Sequence, residues 1–458
     1  MPMTSIEKFH WFDDDPKYPN VVFCRMRVHG KLDEKISHDA WQVVVQRQPF
    51  GDVRPEKQNG RWNWVAGPRA ENPDNVSFDS WDGTRFTWEE FDQVPDDWQF
   101  NDHRIKSPTG SFLGVVTFPN PANNSEHISE VWLYVHHAIG DGAGSIQCIN
   151  DWMNVYANLV GDKVSDKGLH RLDTDLLRKR NSLGMLTWRY LKHLWKQPIA
   201  LFGATKFVFR KTAELLPAKH QPESRKDDDN YPNILGDWIS EEQVQRLSQH
   251  AQSNDVMLNS VLLGEFYSAI IDWRKQHADH QTRDWIRVIF PMSIRNVSDR
   301  RLPVANRATL VQIDRCEKDM QDLKKFYRHL NREIMIIRGW QLDKIFLLAI
   351  RILSVFEPIL RRAAGNGKSR GMAVFTNLGE PLRKSERTSA RQPNSEAFIR
   401  PYEFDFTGPI RHGTPVNLTI SRYAKRIRVS LQYDRSTIGS ELATRLLNAY
   451  CDRLNSIK

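Results

Sequence analysis

Histidine is the side chain whose ordinary pKa best suits proton transfer near neutrality. Two of them stand side by side in His136-His137-Ala138-Ile139-Gly140-Asp141-Gly142. An imidazole held still at such a point can take up or give a proton. The residues before it supply the holder. Val131-Trp132-Leu133-Tyr134-Val135 is a continuous apolar run that predicts a buried strand. Ala138 to Gly144 is rich in small residues that let the backbone turn sharply. A strand end followed by a glycine-rich turn is a rigid mount for a reactive side chain. From average composition, HHxxxDG arises by chance in on the order of one chain of this length in a thousand, so the pattern is specific. A lone histidine would more simply be read as a satisfied core residue.

The rest of the chain bounds what this set can belong to. Its 458 residues exceed the roughly 250–300 at which one core stops growing, which predicts two lobes or domains. A hydrophobic content of 40% with 26% charged residues describes an ordinary globular chain, not a disordered or fibrous one. The formal charge of +9 favours anionic partners without choosing among them. The basic residues are not interleaved with a nucleic-acid-binding motif, so nucleic acid is not expected as a partner. Cys24, Cys148, Cys316 and Cys451 form no CxxC pair, which predicts small buried residues and neither a zinc cluster nor a disulfide framework. No metal site is expected. The first eight residues lack a basic stretch followed by an apolar run, so no secretory signal is evident. The longest apolar stretch, 345–360, is interrupted by Arg351 and Glu357 and is too short to span a bilayer. A cytoplasmic protein is the expectation.

Periodicity places the other elements. Residues 21–28 predict a strand, Gly30-Lys31-Leu32-Asp33 a turn, and 37–48 a helix. Residues 51–105 predict short strands and long loops. A strand over 112–118 would pair with 131–135 across a polar turn at 120–129. Residues 145–159 carry Ile146, Ile149, Trp152, Met153 and Tyr156 at helical spacing. Further on, Ser240-Glu241-Glu242-Gln243 opens a helix, 255–274 predicts a long one, and 285–291 a strand that ends at Met292-Ser293-Ile294-Arg295. The region 334–360 is helical with a basic tail. Strands at 416–421 and 427–433 and a helix over 440–454 close the chain. The expected partition is 1–177, a linker at 178–230 with a boundary at 221–230, and 231–458.

Residues 178–219 differ in kind, with ten Lys or Arg against Glu214 alone. At helical spacing Trp188, Leu191, Leu194 and Trp195 share one face, and Arg189, Lys192, His193 and Lys196 another. A basic amphipathic helix with aromatic anchors is the pattern of a peripheral membrane contact. A linker packed between lobes with a solvated basic face is the plainer alternative.

HHAIGDG resembles the HHxxxDG signature of the thioester-dependent acyltransferases: chloramphenicol acetyltransferase, condensation domains of nonribosomal peptide synthetases, polyketide-associated acyltransferases and wax ester synthase/diacylglycerol acyltransferases. Other segments are similar in order along nearly the whole chain. Gly30 to Pro49 resembles the family's opening turn and helix, and Asn259-Ser260-Val261-Leu262-Leu263 its second-lobe helix. Pro291-Met292-Ser293-Ile294-Arg295 resembles its Pro-Val-Ser-x-Arg segment, and Phe375-Thr376-Asn377-Leu378-Gly379 its Ser-Asn-x-Gly segment. The plant branch's Asp-Phe-Gly-Trp-Gly is matched only as far as Asp405-Phe406-Thr407-Gly408-Pro409, which disfavours that branch.

The resemblance implies an α/β fold of mixed sheets, with two chloramphenicol acetyltransferase-like lobes in a V around a central tunnel. It implies that His137 is the general base, with His136, Asp141 and Gly142 completing the catalytic set. His136 would pack and hydrogen-bond, and Gly142 would let the backbone approach the substrate. Asp141 would pair with Arg295 of the other lobe, tying the lobes together, and Asn377 and Gly379 would contact substrate or form a turn. The implied reaction moves an acyl group from coenzyme A, or from the phosphopantetheine of an acyl carrier protein, to a small alcohol or amine, with no tightly bound cofactor. A non-catalytic condensation-like module that binds carrier protein or a membrane surface is the alternative.

Overall fold

The computed structural model describes residues 1–15, 17–49, 53–66, 84–91, 110–161, 169, 171–183, 187–199, 202–203, 205, 210–217, 219, 233–365, 371–383 and 399–458. The loops expected within 67–83 and 92–109, and the boundary expected at 221–230, lie outside the described residues. The chain groups into two units. The first comprises Met1–Asn181, Arg295–Arg307 and Glu380–Pro409; the second comprises Ser182–Ile294, Ala308–Gly379 and Ile410–Lys458. This differs from the expected linear partition because two later segments return to the first unit. The expected linker is no separate element either: Leu215 and Leu216 lie in the second unit's core.

The first unit is built on β1 (Val21–His29), β4 (Thr84–Glu90), β5 (Ser111–Asn120), β6 (Asn123–His136) and β11 (Pro401–Thr407), in sheet order β11-β1-β6-β5-β4. A separate hairpin joins β2 (Val53–Gln58) to β3 (Arg61–Ala66). β5 and β6 pair antiparallel, with Phe112 opposite Tyr134 and Phe118 opposite Ile128. The polar stretch expected as a turn is therefore mostly strand. The turn closes between Asn120 and Asn123, and the buried hydroxyls of Thr117 and Ser129 satisfy each other at 3.0 Å. β11 reaches β1 from far along the sequence, and charge fixes its register. Arg25 stands opposite Asp405 and donates to it from Nε at 3.1 Å, while Arg27 holds Glu130 and Glu403. Burial pushes the Glu130 carboxyl up, partly offset by Arg25 and Arg27.

Among the described residues, three α-helices belong to this unit. α1 (Ser5–Phe12) is opened by a capping box in which Thr4 and Glu7 satisfy each other's backbone N–H groups. α2 (Glu34–Arg47) starts where the Asp33 side chain accepts from Ile36 N–H at 2.8 Å and buries Ala40, Trp41 and Val44. α3 (Gly142–Val160) buries Ile149, Trp152, Met153 and Tyr156.

The second unit carries β7 (Ile234–Ile239), β8 (Ile286–Ser293), β9 (Ala308–Arg315), β10 (Ala373–Asn377), β12 (Val416–Tyr423) and β13 (Arg426–Tyr433), ordered β7-β13-β12-β10-β8-β9. β10 runs parallel to β8 and β12; the other pairings are antiparallel. Its helices are α4 (Trp188–Leu191), α5 (Glu241–Ser253), α6 (Leu258–His277), α7 (Leu323–Gly339), α8 (Lys344–Leu353), α9 (Glu357–Gly365) and α10 (Gly439–Ser456). Ser240 caps α5 by accepting from Gln243 N–H at 3.2 Å. The helical region expected over 334–360 is broken, because Gln341 adopts φ 55° after α7 and the chain restarts as α8 and α9. The basic amphipathic helix expected around residues 188–196 is interrupted, because α4 gives way to a 3-10 turn at Leu194–Lys196.

α6 is buried nearly all round. A Cβ on Gly264 would meet the Tyr327 ring at 2.7 Å, and that ring cannot step aside cheaply because its hydroxyl bonds the buried Glu265. Gly264→Ala should therefore cost about 2 kcal/mol, as overpacked cores do. The melting temperature should fall by roughly 4–8 °C; an unchanged thermal melt would show that the helix can shift freely here.

Candidate active site

β6 ends at His136, and the turn beyond it divides the two histidines into different environments. The His136 side chain is 1% exposed; its Nδ1 accepts from Ala138 N–H at 3.1 Å and its Nε2 lies 3.5 Å from Asp14. It is a fixed part of the turn. His137 is only partly buried, so it is the member of the pair that solvent reaches.

The contacts that hold His137 include those of Asn20, His10 and Asn306. The His137 backbone N–H donates to Asn20 O at 2.8 Å. Its ring stacks on that of His10, with centroids 4.1 Å apart and planes 5° from parallel. Asn306 supplies the third: its Nδ2 donates to His137 O at 2.8 Å and lies 2.9 Å from His137 Nδ1. A carbonyl oxygen only accepts, so the facing Asn306 atom is the amide nitrogen, and its second hydrogen is available to Nδ1. With Nδ1 accepting, the neutral imidazole carries its hydrogen on Nε2.

The parts behind these contacts are themselves fixed. Asn20 donates to His10 O at 2.9 Å. Glu7, besides capping α1, accepts from Trp64 Nε1 at 2.9 Å and from Arg180 Nε at 2.6 Å. Arg180, counted in the sequence among the solvated basic residues, is thus a buried partner of the helix that carries His10. Its carbonyl in turn accepts from Arg307 Nη1 at 2.9 Å.

Asp141 serves as the N-cap of α3. Its Oδ1 accepts from Gly144 N–H at 2.9 Å and from Arg295 Nη2 at 2.9 Å, and its Oδ2 accepts from Arg307 N–H at 2.9 Å. Burial alone would raise this carboxyl, but the Arg295 charge and these N–H groups outweigh it and hold it below the usual carboxylate range. Arg295 also donates to Ala305 O at 2.8 Å, folding the segment Arg295–Arg307 onto itself. That segment groups with the first unit, so the Asp141–Arg295 pair closes within one unit and is not the tie between lobes that the sequence suggested. The physical reason lies in the bonds of the segment: Asn306 to His137, Arg307 to Asp141, and Val304 N–H to Gln48 Oε1 at 2.9 Å.

Gly142 is the first residue of α3, and close approach falls on its neighbours. A Cβ on Gly140 would lie 2.7 Å from Val304 Cγ1, and one on Gly144 would lie 3.2 Å from the same atom. Asn377 and Gly379 belong to the second unit. Asn377 Oδ1 accepts from Gly379 N–H at 2.9 Å, Asn377 Nδ2 donates to Asn259 at 2.8 Å, and Gly379 adopts φ 66°, which is a turn after β10. The structure thus brings together His136, His137, Asp141 and Arg295, and adds His10, Asn20, Asn306 and Arg307, which sequence reasoning missed. The capping box at Thr4–Glu7 was a readable signal for the helix carrying His10. Asn306 had none, being one polar residue in a loop.

The four cysteines are buried and free, and burial pushes the Cys24 and Cys148 thiols up. Among the described residues no group of three or more His, Cys, Asp or Glu could hold a metal ion.

No protein-family model and no curated protein matches the sequence. Solved structures match it in fold along its whole length. The first condensation domain of the calcium-dependent antibiotic synthetase, in complex with a substrate analogue, matches with a TM-score of 0.65 at 13% identity, over 99% of this chain and 95% of that one. The epimerization domain from the third module of tyrocidine synthetase B matches with a TM-score of 0.60 at 12% identity, over 100% and 96%. The condensation domain of the Monacolin K polyketide synthase matches with a TM-score of 0.58 at 11% identity, over 99% and 96%. The chain has the fold of these condensation domains, a mixed α/β architecture.

Proposed function

We propose that this chain transfers an acyl group from a thioester to a hydroxyl or amine acceptor, with His137 at the reacting centre. The observation that carries the reading is the state of His137: a partly exposed imidazole at the end of β6, clamped by the His10 ring and the Asn306 amide, in a fold shared with condensation domains. A thioester carbonyl is already electrophilic, so no covalent acyl-enzyme is required. The site must take the acceptor's proton as its oxygen or nitrogen bonds the carbonyl carbon, steady the resulting oxyanion, and let the thiolate leave. The donor would be acyl-CoA or a carrier protein's phosphopantetheine thioester, with basic residues suiting the phosphates.

Two parts for His137 fit this reaction, and Asn306 favours the second. As a general base, Nε2 must present a lone pair, which requires the ring hydrogen on Nδ1. With Asn306 donating to Nδ1 the hydrogen sits on Nε2 instead; the ring then offers a hydrogen bond to the developing oxyanion, and the acceptor's proton passes to the departing thiolate. Asn306 is a positioning residue in either case. Asn306→Ala should lower kcat by about tenfold with little change in KM, as loss of alignment does. Rescue by Asn306→Gln would support positioning; an unchanged kcat would remove Asn306 from the account.

The reading is tested by mass spectrometry of products from the purified protein with a panel of acyl-CoA and acyl-carrier thioesters and of alcohol and amine acceptors. A product heavier than the acceptor by the acyl group supports it. Absence of any such product across the panel would favour a non-catalytic module.

A further inference from the structure

Two segments of the second unit expose large apolar side chains of a kind that folded chains usually hide. In the first, residues 187–199, Trp188 is 78% exposed and Trp195 74%, and Leu191, Leu194 and Ile199 are exposed beside them. In the second, Val355 is 74% exposed and Phe356 62%, flanked by exposed Ile352 and Ile359. The first segment contains Arg189, Lys192 and Lys196 and no acid; the second is framed by Arg351, Arg361 and Arg362 against Glu357 alone, which Arg361 holds at 2.9 Å.

The two segments are anchored on one set of helices. Lys196 Nζ sits 3.7 Å over the Trp340 ring, and Gln197 Nε2 donates to Trp340 O at 3.2 Å. Lys344 Nζ lies 5.4 Å from the centre of the Tyr190 ring. Trp340 ends α7 and Lys344 opens α8, which leads into α9 and the second apolar set. Tyr190 is buried, so α4 is docked by one residue and leaves its tryptophan outside.

We propose that these segments form a peripheral docking surface for an anionic lipid bilayer. Tryptophan flanked by aliphatic side chains, with Lys and Arg alternating among them, combines apolar insertion with attraction to anionic headgroups. Charge complementarity commits the occupant, because every acid in the two segments is already paired while their basic residues outnumber it. No helix among the described residues is long and apolar enough to cross a membrane, so the contact is interfacial. The surface belongs to the unit that does not carry His137, and the proposal holds whether or not acyl transfer is the reaction.

The test is flotation of the full chain with vesicles of phosphatidylcholine alone and of phosphatidylcholine mixed with phosphatidylglycerol. The wild type should float with the mixed vesicles and less with the neutral ones. Trp188→Ser with Trp195→Ser, and separately Val355→Ser with Phe356→Ser, should each weaken partitioning by about tenfold or more. Lys192→Gln with Lys196→Gln should weaken it by about tenfold on anionic vesicles and little on neutral ones. All these side chains but Lys196 are free of the core, and equal thermal melts would show the variants folded. The proposal is overturned if the wild type floats with neither vesicle, or if both apolar pairs float as the wild type does. It is equally overturned if the wild type is a dimer that the tryptophan pair makes monomeric while neither binds vesicles.

Discussion

An Asp141→Asn chain is expected to melt roughly 6–12 °C below the wild type at neutral pH, from a loss of about 3 kcal/mol when one partner of a buried ion pair is removed. The carboxylate accepts from Arg295, Gly144 N–H and Arg307 N–H, and an amide nitrogen in place of one oxygen would face donors with a donor. The loss has a pH signature. The folded-state pKa of Asp141 lies below its ordinary value, so its stabilisation is complete above the unfolded pKa of about 3.9 and is lost as pH falls through the folded value. The gap between wild type and variant should be widest from pH 5 upward and should close on acidification below about pH 4. Arg295→Ala should reproduce the neutral-pH loss. Thermal melts across that range test it: a gap that ignores pH, or lowered activity with unchanged melting, would mean that Asp141 acts on the reaction and not on the fold.

His137→Ala is expected to lower acyl transfer by about 10²–10⁴-fold with the fold intact, the usual contribution of a positioned proton-transfer group. The variant should fold because the ring is partly exposed and His136, not His137, carries the buried turn. His137→Gln separates the two parts proposed for the ring. Glutamine can donate a hydrogen bond but cannot take a proton at neutral pH. Transfer within about tenfold of wild type in the glutamine chain, with the alanine chain inactive, would support a donor to the oxyanion. Equal loss in both would support a base, and equal retention would remove the ring from the chemistry.

The mount of His137 was legible because it is local. A continuous apolar run ending in two histidines and a small-residue turn can be read within twenty residues, and β6 and α3 lie where that pattern puts them. In the second unit β8, β12 and β13 and the capped helix at Ser240 were legible for the same reason. What escaped depends on distant partners. Asn306 and Arg307 matter through bonds to residues more than a hundred and sixty positions away. β11 reads as an unremarkable run carrying two acids until Asp405 meets Arg25. Residues 178–230 were expected as one basic linker with a helical face at 188–196, whereas the pull of Arg180 on Glu7 and of Leu215 and Leu216 on the second core divides that stretch between two units. The crowding at Gly140 and Gly144 was not legible either, because Val304 arrives from another part of the chain.

The most direct measurement compares wild type and His137→Ala, matched for thermal stability, in a continuous assay of thiol release from one acyl thioester with and without acceptor. The account predicts acceptor-dependent release by the wild type, no lasting mass increase on the protein itself, and loss of that release in the variant. Release that does not depend on acceptor, or that survives intact in the variant, would contradict it.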